Sequence, residues 1–358
     1  MLKVLFDSSI FLHQRRGGIS KYIINLNRKL GIYNINSKIF SAISINEYLN
    51  KNNKNQITYF KLLRIPNFCT KFFYIINNFF FLIYLKYYKP DLIHFSYYNH
   101  NLASKLKIPY VVTVYDLIHE NYNYENLQFT KKEILIKAKH IICISNYTKN
   151  ELIKKYKINK NKISTIYLGT DLKLNNQNKK ENLILFVGDR NRYKNFKRLL
   201  IAFGSSDFLK KNYQLVCIGG NLFNDEENRL IKKYNIKNNI FQKFCDDKTL
   251  AKYYQKAILY ISVSLNEGFG LTTIEAMRSG CVVSCSNIKV FREVLGNSSK
   301  FFNPQDVKSI KSSIEKILKS KRDQKKYIRL GYKTASKYTW EKCAKKTSEI
   351  YKKISIEK

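Results

Sequence analysis

Acidic residues are scarce: 26 Asp and Glu stand against 65 Lys and Arg, a formal net charge of +39. Such a field favours polyanions, either nucleic acid or an anionic membrane surface. Lys, Asn and Ile are abundant throughout, including positions that share no role, a pattern that drift in genomic base composition also produces. There is no arginine-rich arm, zinc finger or RNP-like aromatic motif, which argues against specific nucleic-acid binding as the main function. Cysteine is present seven times, an odd number, mostly inside apolar runs (Cys143, Cys217, Cys281, Cys285). No CxxC pair and no Cys/His spacing suggests zinc, so these read as buried, reduced thiols of a cytoplasmic protein. The N-terminus, MLKVLFDSS, runs straight into a strand, which argues against a secretory signal. No run is long enough to span a bilayer. The longest, 72–89, is interrupted by Asn77 and Asn78. It reads as a buried or amphipathic helix ahead of a strand at 92–95, its aromatics leaving a shallow membrane-contacting role open.

What is there is an α/β pattern, written twice. At 358 residues and 44% hydrophobic, the chain is long enough for two domains with separate cores. Strands are expected at 2–6, 37–43, 92–95, 110–115, 140–145 and 163–167, and helices at 19–30, 72–88, 131–138 and 146–156. That alternation predicts a parallel sheet with helices on both faces. Leu168-Gly169-Thr170-Asp171 then leads into a polar linker, 172–182. A second set follows, with strands at 183–187, 214–218, 239–243, 258–263 and 281–285 and helices at 195–204, 225–234, 248–256, 271–279 and 305–318. The expected division is therefore 1–170, 171–338 and a final helical segment, 339–358, near the start of which stands the only tryptophan, Trp340. Two such units imply a cleft, where ligands tend to sit.

The most informative stretch is 264–280, SLNEGFGLTTIEAMRSG. A β-branched run ends just before it, two glycines follow, and then a series of good helix formers. Backbone N–H groups at such a strand–turn–helix junction attract an anion. Glu267 and Glu275 bracket the turn and would repel bare phosphate, so a ligand carrying hydroxyls as well as phosphate, such as a nucleotide sugar, fits better.

Glu267 and Glu275, eight apart around Gly268-Phe269-Gly270-Leu271, resemble the E-x7-E signature of retaining GT-B glycosyltransferases of family 4. The flanking pattern is similar too: Leu250, Tyr254, Ala257, the strand, Gly280. The resemblance runs in the expected order from Gly17 to Trp340. It implies two Rossmann-like domains facing a cleft, with a last helix, starting near Tyr338-Thr339-Trp340-Glu341, crossing back onto the N-terminal domain. It also implies that Glu267 lies near the transferred sugar, Glu275 bonds the ribose, and the amides of 268–271 face the phosphates.

Other segments take roles from the same resemblance. The stretch 186–196, FVGDRNRYKNF, occupies the position of the family's Arg and Lys, which neutralise the departing diphosphate. Arg190 and Lys194 are assigned to that role. Because Asp189 intervenes after the glycine, Arg192 competes with Arg190. Gly17 and Gly18, between first strand and first helix, let backbone approach the donor phosphate or the acceptor; no G-x-G-x-x-G fingerprint occurs. Tyr115 stands where many members carry His, so either Tyr115 or His119 serves the sugar side. Asp116 is placed for an acceptor hydroxyl or simply caps the next turn. His94 and His100 read as packing or surface residues, and Ser145 as a helix cap.

The resemblance thus implies a metal-independent retaining hexosyltransferase. No D-x-D pair is evident, and Asp246-Asp247 reads as a helix cap. Glu267 stabilises positive character at the anomeric carbon, a nucleophilic role being the alternative. The Tyr-Asp-Leu-Ile-His-Glu and Arg-x-x-Tyr-Lys-Asn variants resemble bacterial mannosyltransferase-like members that build surface polysaccharide. GDP-mannose is the first expectation for the co-substrate and a UDP-hexose the second. The acceptor would be a glycan or lipid-linked, and the location cytoplasmic, with peripheral attachment to the membrane's inner face. A nucleotide-sugar epimerase of the same architecture and a non-catalytic basic binding protein are the other readings. The intact Glu267, Arg190 and Lys194 argue against both.

Overall fold

The alternation of apolar runs with amphipathic segments resolves, in a computed structural model, into two parallel sheets clothed by helices; residues 1–50, 53–121, 128–172, 179–190 and 192–356 are described. Contacts divide the chain into one unit of Met1–Gly169 with Thr339–Lys358, and a second of Thr170–Tyr338.

In chain order the strands of the first unit are β1 (Leu2–Phe6), β2 (Ile35–Phe40), β3 (Ile43–Ser44), β4 (Gln56–Ile57), β5 (Phe60–Lys61), β6 (Leu92–Phe95), β7 (Tyr110–Val114), β8 (His140–Cys143) and β9 (Ile163–Thr165). Seven of these form one sheet in the order β4-β2-β1-β6-β7-β8-β9, all parallel, while β3 and β5 pair apart. The strands β6 and β7 are buried throughout, as parallel strands covered on both faces must be. The final helix, Trp340–Ile356, belongs to this unit. Its Trp340 ring lies 6.2 Å from Tyr22, and Tyr33 donates its hydroxyl to the Glu341 carbonyl at 3.1 Å. The returning chain presses on Gly169, where a Cβ would stand 2.2 Å from the Thr339 backbone, so only glycine fits that crossing.

The second unit contains β10 (Glu181–Val187), β11 (Gln214–Ile218), β12 (Ile240–Lys243), β13 (Ala257–Ser262), β14 (Val282–Ser286) and β15 (Lys300–Phe302), ordered β12-β11-β10-β13-β14-β15 and all parallel. Its core joins the β10, β11 and β13 interiors to Leu199, Phe203 and Ile314 from the helices Phe196–Gly204 and Val307–Lys319. Three helices here escape sequence reading, Asp207–Asn212, Lys289–Leu295 and Lys321–Ala335. The last turns Gln324, Tyr327, Ile328, Gly331 and Ala335 inward, a stripe with only two large apolar side chains. The caps expected at Ser145 and Asp246 are present, accepting from Thr148 N–H at 3.0 Å and Thr249 N–H at 2.8 Å. Of the expected linker, 173–178 lie outside the described residues.

Candidate active site

The strand order of the second unit reverses between β10 and β13, which are adjacent: β11 and β12 lie on one side of that pair, β14 and β15 on the other. Loops leaving the carboxyl ends of strands at such a switch point diverge and leave room for a ligand. The segments after β10 and after β13 meet there. Leu265 donates its N–H to the Tyr193 carbonyl at 2.7 Å. Asn195, in the left-handed region at φ 58°, donates from Nδ2 to the Val263 carbonyl at 3.0 Å and to the Pro304 carbonyl at 2.7 Å.

This stitching brings Lys194 and Glu267 together, with Nζ 2.6 Å from Oε1. The same carboxylate oxygen accepts the Ser264 hydroxyl at 2.8 Å. Burial pulls the Lys194 pKa down, but the Glu267 carboxylate, aided by Tyr193, outweighs burial and holds it above the ordinary lysine value. The ammonium is therefore charged at any pH the protein meets. The arrangement is a carboxylate and a cation held ready at the mouth of a parallel sheet, the cation able to exchange its partner for an anionic ligand.

The Gly turn follows. Gly270 has φ 85°, and a Cβ there would stand 2.4 Å from the Phe291 ring, so both backbone and space demand glycine. Beyond it the helix Leu271–Arg278 begins, with Thr273 donating its hydroxyl back to the Gly270 carbonyl at 2.5 Å. Phe269 is buried and meets the Tyr338 ring edge-on at 5.4 Å, while Gly268 is also buried. Glu275 sits in the second turn, only 3% exposed, and accepts the Tyr254 hydroxyl at 3.2 Å. Burial and then the Glu275 carboxylate drive the Tyr254 pKa well above its usual value, so the phenol remains a proton donor.

Two family models match the chain: glycosyl transferases group 1 over residues 169–334 and glycosyltransferase family 4 over 16–174. The chain belongs to the group 1 glycosyltransferases. An O-antigen chain mannosyltransferase of Salmonella typhimurium is 31% identical over 193 residues, and that match spans about half of each chain, 53% of this one and 54% of the relative. A glycosyltransferase of Methanocaldococcus jannaschii is 25% identical over 99% of both chains. Among solved structures, a sucrose-phosphate synthase of Thermosynechococcus elongatus superposes with TM-score 0.81 at 20% identity, covering all of both chains, which shows a shared GT-B fold.

Arg190, expected from sequence to face the leaving diphosphate, has its guanidinium held by partners inside the second unit. Its Nε donates to Glu227 Oε1 at 2.9 Å, and its Nη1 to Gln242 Oε1 at 2.7 Å and to the Gly219 carbonyl at 3.2 Å. Its Nη2 donates to the Asn221 carbonyl. The guanidinium lies 4.9 Å and 5.5 Å from the Phe223 and Phe196 ring centroids, and its side chain is 5% exposed. Each of the three nitrogens thus has a partner inside the unit. Arg190 ties the loop after β11 to the helix Asp225–Lys233, where Glu227 completes a capping box with Asn224. The side chain of its competitor Arg192 lies outside the described residues.

The first unit's candidates divide similarly. Tyr115 is buried and donates its hydroxyl to the Ser96 carbonyl at 3.0 Å, its ring against Tyr22, so it is packed rather than presented. Asp116 takes the capping alternative, accepting the Ile118 N–H at 3.0 Å. His119 is half-buried in the short helix Ile118–Asn121. Gly17 and Gly18 open the helix Gly18–Leu30, but neither needs left-handed backbone, and Gln14 fills the space beside Gly17. Gln14 Oε1 also takes the Ser20 N–H at 3.2 Å, occupying one first-turn donor, while the space beside Gly18 is open. His94 and His100 are structural as expected: His94 is fully buried between Thr113 and Tyr351, and His100 pairs with Glu133. Sequence reading gave no role to Tyr193, Asn195, Ser264 or Tyr254. Ser264 bonds Glu267 within the same loop, while Asn195 and Tyr254 reach the segment from other elements.

Proposed function

We propose that the chain moves a hexose, mannose from GDP-mannose in the first instance and the hexose of a UDP-sugar in the second, onto a glycan or lipid-linked acceptor of surface polysaccharide, retaining the anomeric configuration. The observation that carries this reading is the Lys194–Glu267 pair beside the Gly270 turn and Glu275. The mannosyl donor draws support from the Salmonella relative's name.

In this reading the donor diphosphate draws Lys194 away from Glu267. The exchange suits both groups, because the lysine trades one anion for another and the carboxylate is released towards the sugar. Glu275 accepts from the ribose hydroxyls, and the amides of 268–271 lie toward the phosphates. The bond between the anomeric carbon and the leaving phosphate oxygen breaks, and the acceptor oxygen attacks the same face. The acceptor's proton passes to the departing phosphate oxygen, giving the glycoside and a nucleoside diphosphate. Lys194 stabilises the negative charge that builds on the leaving group, and Glu267 the positive character at carbon, without a divalent ion. In the first unit Gly17 and Gly18 serve the donor phosphate or the acceptor, and His119 the acceptor or the sugar side. A thermal-shift panel of GDP- and UDP-sugars tests the donor: a selective rise names the base, and no rise with either overturns the reading.

The charge of +39 supports work at an anionic membrane surface on the cytoplasmic side. Among the described residues no helix is long and apolar enough to cross a membrane.

A further inference from the structure

The helix Thr70–Tyr88 is apolar on two opposite faces, and the protein uses only one of them. Its inner face is Asn77, Phe81, Leu85 and Tyr88, all buried. Asn77 locks it to the first unit, taking the Ile43 N–H at 2.8 Å and donating to the Ile43 carbonyl at 2.9 Å. The other face carries Phe72, Ile75, Phe79, Ile83 and Tyr87, spaced by three and four residues as one helical stripe, and they are 61, 68, 60, 50 and 80% exposed. Just before the helix, Leu63 and Phe68 stand out at 85 and 86%. A helix apolar all round is normally covered all round, and a contiguous aromatic patch of this kind marks an interaction surface.

Charge names the occupant. From Glu47 to Asp91 the chain has seven basic residues and no acidic one between those two. Lys61, Arg64, Lys71, Lys86 and Lys89 are exposed around the stripe. A second protein would meet the apolar stripe equally well, but an unbroken basic surround suits a sheet of negative headgroups. At about 1.5 Å per residue a 19-residue helix is roughly 28 Å long, and lying flat it would sink its aromatic side to the headgroup–acyl boundary with its lysines among the phosphates.

We propose that this stripe is the membrane-docking surface: Phe72, Ile75, Phe79, Ile83 and Tyr87 insert shallowly into an anionic bilayer and the flanking Lys and Arg residues bind its headgroups. This deepens the bilayer attachment proposed above and rests on it.

The test is co-sedimentation of the full chain with phosphatidylcholine vesicles, with and without phosphatidylglycerol. The variant carries Phe72→Gln, Ile75→Gln, Phe79→Gln and Ile83→Gln, which leave the charge unchanged. The parent should pellet with the anionic vesicles and release in high salt. The variant should bind at least about tenfold more weakly while keeping its Tm. A variant that binds as the parent does overturns the stripe but leaves membrane attachment standing. A parent that stays in solution overturns both. A parent that is dimeric where the variant is monomeric assigns the face to a second copy and overturns the proposal. Phe79→Trp, which keeps the stripe apolar, provides a second measurement: its emission should shift to the blue and be quenched by brominated acyl chains, whereas buried Trp340 should not respond. Unchanged emission at residue 79 counts against insertion.

Discussion

Lys194 and Glu267 hold one another at 2.6 Å, although 73 residues separate them and each comes from the loop after a different strand of one sheet. The pair is the hinge of the proposed reaction, since both partners must change allegiance when a diphosphate arrives.

Glu267→Gln removes the anion that competes with the donor for Lys194. Turnover should drop by about 10²–10³, as for loss of one group that stabilises transition-state charge. Binding of GDP or UDP should tighten severalfold, because the freed lysine no longer has to leave a partner. Calorimetry of the nucleoside diphosphates and initial rates with the sugar donor separate the two effects. A fall in affinity instead would mean that Glu267 does not restrain Lys194.

Lys194→Ala should depress kcat more than it raises KM, whereas Glu275→Ala should act mainly on donor affinity, by about ten- to hundredfold for a lost charge-assisted hydrogen bond. Steady-state kinetics on both variants check the division. Parent-like transfer by both would remove the site assignment altogether.

Arg190→Ala is a stability variant. It strands Glu227 in a site where the two side chains are 5 and 8% exposed, and loss of one partner from a buried pair costs about 3–5 kcal/mol. Urea unfolding should therefore show a large drop in midpoint, and Lys194→Ala a much smaller one. An Arg190→Ala protein as stable as the parent but slow in transfer would return Arg190 to the leaving group.

Acid should weaken the first unit through His94. Burial drives its pKa from an ordinary 6.5 to about 3. Between those values the unfolded chain binds a proton that the folded chain refuses, so this contribution is complete above pH 6.5 and is lost as pH falls. At pH 5 the loss is about 2 kcal/mol. Buried Asp7 works in the opposite sense: burial raises its pKa, so its contribution weakens as pH rises above the ordinary 3.8. The difference in Tm between the parent and His94→Gln, followed from pH 7.5 to 4.5 (about one unit beyond this window's upper end and about one and a half short of its lower), isolates the histidine. A constant difference would show that His94 does not titrate in this way.

Much of the molecule was legible in the chain itself. Strands such as 92–95 and 214–218 read directly from mostly apolar runs, because parallel strands buried on both faces need continuous apolar sequence. The junction 264–280 was legible because a Gly turn, a helix start and two carboxylates at fixed spacing are local features. The helix Lys321–Ala335 was not, since its inner stripe passes through Gln324, Gly331 against Met277, and Ala335, with only Tyr327 and Ile328 as large apolar members. The partner of Arg190 was not legible either: its sequence neighbours are those of a ligand loop, while Glu227 lies 37 residues away.

Local order, then, is what the amino-acid sequence determined alone: which segments are strands, where glycine must turn the chain, and which residues bear charge near those turns. Backbone conformation and side-chain periodicity act over a few residues, so a linear reading captures them. Partnership was decided only in three dimensions. The fold chose Glu267 for Lys194, Glu227 for Arg190 and Tyr254 for Glu275, and it left one face of the helix Thr70–Tyr88 uncovered. Ion pairing and burial depend on distances between segments remote in sequence, and those distances exist only once the sheets have set their strand order.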